Sequence, residues 1–133
     1  MAPYLLDTNI CIYIQKVRPE SVARRFEALR ADEAFISVIT WGELQYGAAR
    51  SQQRSRATGL LDEFRALVPV LPLPDQAGLR YGTLRADLAA SGKLIGNNDL
   101  WIAAHALSAG MTLVTNNERE FSCVPGLRLE NWA

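Results

Sequence analysis

Asp99-Leu100-Trp101-Ile102-Ala103-Ala104-His105-Ala106-Leu107-Ser108, then Ala109-Gly110, then Met111-Thr112-Leu113-Val114-Thr115 is the stretch that decides the fold. Ile102, Ala103 and Ala106 recur at helical spacing, Gly110 stops the helix, and an apolar run with strand character follows at once. A helix passing directly into a buried strand is half of the repeating unit of an α/β protein. Outward from it, Tyr4-Leu5-Leu6 reads as another short buried strand, stopped by Asp7-Thr8-Asn9, residues suited to a turn or helix cap. A short helix is expected over Ile10 to Gln15. Pro19-Glu20-Ser21 opens a longer one, with Val22, Phe26 and Leu29 at helical spacing. Ala34-Phe35-Ile36-Ser37 is a further strand, followed by a helix from Thr40 and an Arg- and Leu-rich helix to about Leu67. Val68 to Leu73 reads as a strand kept at the sheet edge by Pro69 and Pro72. A helix from Asp75 to Ala90 ends at Ser91-Gly92, and Leu127-Arg128-Leu129 closes the series.

Strands alternate with helices throughout, which predicts a three-layer α/β/α sandwich around a mainly parallel sheet. With 133 residues and no internal repeat or linker, residues 1–133 are expected to form one domain. Hydrophobic residues at 49% and charged residues at 21% exclude a disordered chain. No apolar run approaches the ~18–20 residues of a membrane helix. Met1 to Asp7 lacks the charged start and apolar stretch of an export signal, so the expected location is the cytoplasm. Cys11 and Cys123 have no metal-type spacing and read as free thiols. Basic and acidic residues balance at 14 each, but Lys16, Arg18, Arg24, Arg25 and Arg30 form one basic cluster and Arg50, Arg54 and Arg56 a second. Either cluster is a solvated helix face or part of a basic rim for a polyanion.

In open parallel sheets the working groups collect at the carboxyl ends of the strands. The sequence has no phosphate-binding glycine loop, no G-x-S-x-G elbow, no H-E-x-x-H and no Cys-x-x-Cys. Its single histidine, His105, stands about 240° round the helix from Asp99 and reads as structural. Carboxylates remain. Asp7 ends the first strand, Glu43 lies early in the helix after the second, and Asp99 heads the apolar face that continues as Ile102, Ala103 and Ala106. An unpaired carboxylate there costs several kcal/mol, and a hard cation with oxygen ligands is one suitable partner. Each acid also has a capping alternative: Asp7 or Asp99 as an N-cap, Thr40 with Glu43 as a capping box, and Thr115 with Glu118 as another. Three acids at three strand-to-helix junctions, all at one end of a sheet, suit metal-assisted phosphodiester hydrolysis better than three separate caps.

The segments Tyr4 to Cys11, Ile39 to Ala48, Leu94 to Ala106 and Leu113 to Phe121, with Pro125-Gly126-Leu127 and Glu130-Asn131-Trp132, closely resemble PIN-domain toxins of the VapC type. The resemblance covers essentially the whole chain in order. It implies a five-stranded parallel sheet, a Mg²⁺-dependent endoribonuclease in which Mn²⁺ can substitute, and a homodimer. It also implies a VapB-type antitoxin as partner, with higher-order complexes between the two. Asp7, Glu43 and Asp99 match the family's three acidic positions and are the expected metal ligands. The fourth position, often Asp in the wider group, is Asn117, whose amide oxygen can bind metal or water but brings no charge. Glu120, roughly one helical turn on, is the alternative source of a carboxylate. Relatives with a similar ending cut structured RNA, which makes tRNA near the anticodon the expected substrate. Trp41 and Tyr46 are candidates for the dimer contact or for the core. Two other readings compete: a catalytically inactive PIN-fold module that binds RNA or protein, and a phosphoryl-accepting receiver domain. The second fits poorly, because adjacent paired acids are missing after the first strand and the lysines are Lys16 and Lys93 alone.

Overall fold

The computed structural model describes residues 3–133; Met1 and Ala2, where the expected absence of an export signal begins, lie outside the described residues. The strands are β1 (Tyr4–Leu6), β2 (Ala34–Ser37), β3 (Val70–Leu71), β4 (Thr112–Val114) and β5 (Leu129–Glu130). The helices are α1 (Thr8–Lys16), α2 (Glu20–Glu27), α3 (Val38–Arg50), α4 (Arg54–Leu67), α5 (Gln76–Ala90), α6 (Asn97–Ala109) and α7 (Glu118–Phe121).

All strand pairs are parallel, in the order β3-β2-β1-β4-β5, which bears out the expected architecture. β1 is the centre of the sheet. Tyr4 pairs with both Ala34 and Thr112, and Leu5 with both Phe35 and Leu113. Every residue of β1 and β4 is buried, as a parallel sheet covered on both faces requires. Alternation then divides the core in two. Leu6, Ile36 and Val114 pack with Ile10, Leu44, Leu61 and Phe64 on one face. Leu5 and Leu113 pack with Leu84, Leu100, Ile102 and Phe121 on the other. α5 and α6 are pinned by a Tyr81–Trp101 stack, ring centroids 3.8 Å apart, and by the Tyr81 hydroxyl on Asn97.

Several expected boundaries move. The helix expected at Ile10 begins at Thr8, because Asp7 caps it directly. The helix expected from Thr40 begins at Val38, because Ser37 accepts from the Ile39 N–H and takes the N-cap. The helix expected from Asp99 begins at Asn97, with Gly96 at the cap position. The edge strand shrinks from 68–73 to Val70–Leu71: the prolines at 69 and 72 bring no N–H, and Pro69 joins the sheet only by accepting from Ile36 N. The last strand lies at Leu129–Glu130 instead of 127–129. Gly110 ends α6 in the left-handed conformation, φ 66°, where a side chain would be strained. Ile102, Ala103 and Ala106 are fully buried, as the apolar face of α6 predicted. No helix among the described residues is long and apolar enough to cross a membrane.

Connections run from β1 through β2 to β3 on one side and return to β4 and β5 on the other. The order in which strands are added therefore reverses between β1 and β4, which run parallel. A crevice is expected just outside the carboxyl ends of these two strands, and Asp7 and Thr115 are the first residues past them.

Candidate active site

Asp7 leaves β1 in extended conformation and caps α1, so the capping alternative holds for this residue. One carboxylate oxygen accepts from Thr8 N at 2.8 Å. The other accepts from Thr115 Oγ1 at 2.7 Å and from Asn9 Nδ2 at 3.3 Å. Asp7 is only 4% exposed. Burial raises its pKa, against the opposing pull of the Thr115 hydroxyl and the Thr8 N–H, while the charges of Glu43 and Glu120 push it further up.

The other two capping alternatives for the acids of the pocket fail. Ser37, not Thr40, caps α3; the Thr40 hydroxyl is buried and has no hydrogen-bond partner. Glu43 is thereby free to face Asp7, accepting from the Thr8 hydroxyl on one oxygen and from Asn98 Nδ2 at 3.4 Å on the other. Thr8 thus ties both acids together, its amide to Asp7 and its hydroxyl to Glu43. Asp99 sits in the first turn of α6, past the cap. Its pKa is pushed up to about 7 by burial first, then by the hydrogen bond and charge of Glu120 and the charges of Asp7 and Glu43. Thr115 and Glu118 also form no capping box: Asn117 precedes α7, and Glu118 accepts from Asn131 Nδ2 at 3.1 Å.

Glu120 accepts from Gly96 N at 3.0 Å and from Asn117 Nδ2 at 2.5 Å. The Gly96 N–H is the main reason that its carboxyl lies below the usual range, with Asp99 and Asn117 adding to the effect. Of these two neighbours, Asp99 is therefore the one held above the usual carboxylate range and Glu120 the one held below it. Asn117 does not stand apart as a rival to Glu120. It holds that carboxylate, and its own N–H donates to Thr115 Oγ1 at 2.9 Å.

The structure brings Asp7, Glu43, Asp99, Asn117 and Glu120 to one end of the sheet, through partners that sequence reasoning had not singled out for the site: Thr8, Gly96, Asn98 and Thr115. Thr8 and Thr115 could have been noticed as hydroxyls flanking the strand ends. Gly96 and Asn98 had no such signal. His105 is buried and shares a hydrogen bond with Ser37, Nδ1 to Oγ at 2.9 Å, which links α6 to the cap of α3. Burial pulls its pKa down, in keeping with a structural imidazole. Cys11 and Cys123 are free thiols. Of the aromatic candidates, Trp41 packs against the core with the Arg65 guanidinium 4.7 Å from its ring centroid, and Tyr46 is exposed.

Among the described residues no Lys or Arg forms an ion pair with the four acids; the ion pairs present involve Glu20, Glu33 and Glu130. A pocket of uncompensated carboxylates, one of them retaining a proton near neutral pH, is short of positive charge. An all-oxygen donor set of this kind fits a hard divalent cation. As they stand, the side chains are occupied by the hydrogen bonds above, and no group of three or more His, Cys, Asp or Glu among the described residues is gathered around an ion position.

Fold and acidic pocket together define a class. The family model of the PIN domain matches residues 4–127. Ribonuclease VapC2 of Haemophilus influenzae is 43% identical over 132 residues, covering 99% of each chain. The tRNA(fMet)-specific endonuclease VapC of Shigella flexneri is 43% identical over 133 residues and all of both chains. The DNA-bound VapBC structure from Salmonella typhimurium contains a chain that superposes with a TM-score of 0.92 at 41% identity, covering 100% of each. The chain belongs to the VapC ribonuclease family of PIN domains.

Proposed function

We propose that the chain is the toxin of a type II toxin–antitoxin pair: a Mg²⁺-dependent endoribonuclease, with Mn²⁺ as substitute, that cuts structured RNA, with the anticodon region of tRNA as its substrate. The observation that carries this reading is the gathering of Asp7, Glu43, Asp99 and Glu120 at one end of the sheet, with Asp7 and Asp99 raised in pKa and no basic counter-charge among the described residues. Asp7, Asp99 and Glu43 would hold the metal. When bound, it supplies positive charge to a scissile phosphate and eases loss of a proton from water.

The chain's own groups do the rest. Thr8 and Thr115 fix the Asp7 carboxylate by donors on both oxygens, so its orientation is set before substrate arrives. Glu43, on a firm helix and held by the Thr8 hydroxyl, accepts the proton of the attacking water. Asn117 and Gly96 hold Glu120 beside Asp99, keeping a carboxylate in the place where the wider group often has Asp. The similarity to an endonuclease named for tRNA(fMet) supports a tRNA substrate. The likeness to VapBC complexes supports a VapB-type antitoxin, which would neutralise the pocket with a basic side chain. Homodimerisation, antitoxin-dependent higher assembly and a bacterial cytoplasmic location complete the reading.

The test is cleavage of purified tRNA by the chain with Mg²⁺ or Mn²⁺, alongside Asp99→Asn and an EDTA control. Metal-dependent cutting lost in the variant is expected. Equal cutting by both proteins at saturating Mg²⁺ would remove the mechanism, and no cutting by either would leave the inactive binding module as the better reading.

A further inference from the structure

Beside Glu43, and apart from Asp99 and Glu120, a cavity of about 670 Å³ opens between α3 and the start of α6. It is lined by Val38, Ile39, Gly42, Glu43, Tyr46 and Asn98. Val38, Gly42 and Tyr46 recur every four residues, and Arg50 continues the same spacing. They therefore form one stripe along α3. Two features of that stripe are costly unless something fills the space. Tyr46 is 64% exposed and Val38 41%, a large apolar pair left open to water. Gly42 sits in a helix interior, where glycine is unfavourable, and a Cβ added there would meet nothing within 4 Å. Crowding does not require the glycine; its missing side chain is part of the hollow. Arg50 stands 4.8 Å from the Tyr46 ring centroid without lining the cavity, so it braces the ring and places a positive charge at the end away from Glu43.

We propose that this cavity is a base-binding subsite, taking the unstacked base of a nucleotide next to the scissile phosphate, with Tyr46 as its stacking platform. This rests on the nuclease reading above and names how that same site holds its RNA. A nucleobase is flat and aromatic with a polar edge. The cavity has apolar walls, an exposed aromatic face and, at its rim, the Asn98 amide, already within 3.4 Å of Glu43. Because Glu43 belongs to both the pocket and the cavity, whatever binds here lies beside the place where the phosphate is cut. Aromatic stacking is the usual way proteins hold single-stranded bases without reading every one of them. The Arg50 guanidinium offsets the repulsion between a polyanion and the acids.

The experiment uses an anticodon stem-loop RNA whose cut site has been mapped, and two copies of it with an abasic ribose on one or the other side of the cut. Tyr46→Ala is expected to lower kcat/KM on the intact RNA about tenfold, mostly through KM. Tyr46→Phe and Tyr46→Trp should restore most of the loss, since the ring face and not the hydroxyl carries the contact. One abasic RNA should cost the unmodified chain a similar factor and cost Tyr46→Ala little more, because each removes the same contact. Gly42→Leu, which fills the hollow while favouring the helix, should reproduce the loss without lowering the melting point. Stabilisation by Mn²⁺ should persist in all of these variants. Unchanged kcat/KM for Tyr46→Ala, a full abasic penalty that persists in it, or a loss that tracks dissociation of a dimer in sedimentation would overturn the subsite and leave the nuclease reading standing. An unmodified chain that cuts no RNA would overturn both.

Discussion

The two halves of the acidic pocket handle burial in opposite ways. Asp7 is almost completely enclosed, yet its oxygens meet a backbone N–H, a hydroxyl and an amide. Its pKa is raised by enclosure and pulled back by those donors. Asp99 is less deeply set, but its close partner is another carboxylate, so burial, hydrogen bond and charge all act in one direction and take it to about 7. The depth of an acid does not by itself set its charge; the sign of what it touches does. One half of the pocket is a carboxyl group whose position is fixed by donors. The other is an acid whose pKa stands near neutrality.

The largest effect that tests this contrast is on cleavage. Asp7→Asn and Asp99→Asn are each expected to reduce RNA cutting at least a hundredfold, about 2.7 kcal/mol in the barrier. The two should differ in stability. Asp99→Asn removes an acid that repels its neighbours and should melt at or above the parent temperature without metal. Asp7→Asn turns an acceptor of three donors into an amide and should melt lower. Matching melting points for the two variants would break the contrast.

Metal linkage comes next. A cation at a hundredfold over its dissociation constant adds about 2.7 kcal/mol to stability. A thermal melt with Mn²⁺ should rise accordingly in the parent and fail to rise in either variant. Smaller again is Thr115→Val, which takes a donor from Asp7 and an acceptor from Asn117 N at once. It should cost roughly 1–3 kcal/mol, whereas Glu120→Gln, on the repelled side, should cost little stability while still impairing cleavage. Chemical denaturation of the three metal-free proteins would rank them.

The smallest effect is in pH. The folded chain holds the Asp99 proton up to about 7, while the unfolded chain releases it near the ordinary aspartate value of 3.8. Between those values the folded state binds more protons, so this group's contribution to stability is lost as pH rises through the window and is flat above it. Asp7 acts in the same direction. His105 acts in the opposite direction: its folded pKa is lowered, so it favours folding above its ordinary value of 6.5 and that contribution is lost as pH falls. The clean observable is therefore a difference. In EDTA, the parent should lose stability relative to Asp99→Asn as pH climbs from about 4 to about 7. Parallel pH curves for the two proteins would show that Asp99 titrates normally.

Much of this arrangement is legible in the sequence because local signals and global need agree. Gly110 stops α6 where the next strand must start, and the alternation of Tyr4, Leu5 and Leu6 between two cores needs only period two. The acids past β1, early in α3 and at the head of α6 follow from the rule about strand ends. What local spacing cannot decide is which of two nearby polar residues takes a cap. Thr40 and Glu43 have the spacing of a capping box, but Ser37 lies at the sheet end and accepts from the Ile39 N–H, so Thr40 is carried into the helix. Likewise Asp99 looks like a cap until Gly96 is seen to supply the extended turn. The choice between Asn117 and Glu120 had no local answer either, because they bond to each other and are ordered by Gly96 and Thr115 from elsewhere in the chain.

The bond from the Thr115 hydroxyl to Asp7 joins residues 108 apart in sequence, across strands β1 and β4 at the middle of the sheet. In synthesis Asp7 and Glu43 emerge before Thr115, Asn117 and Glu120. Until then the first acid lacks its hydroxyl donor and Asp99 lacks its carboxylate neighbour. The pocket is therefore a product of the closed sheet: its acids are set in place only when β4 and the turn after it dock beside β1.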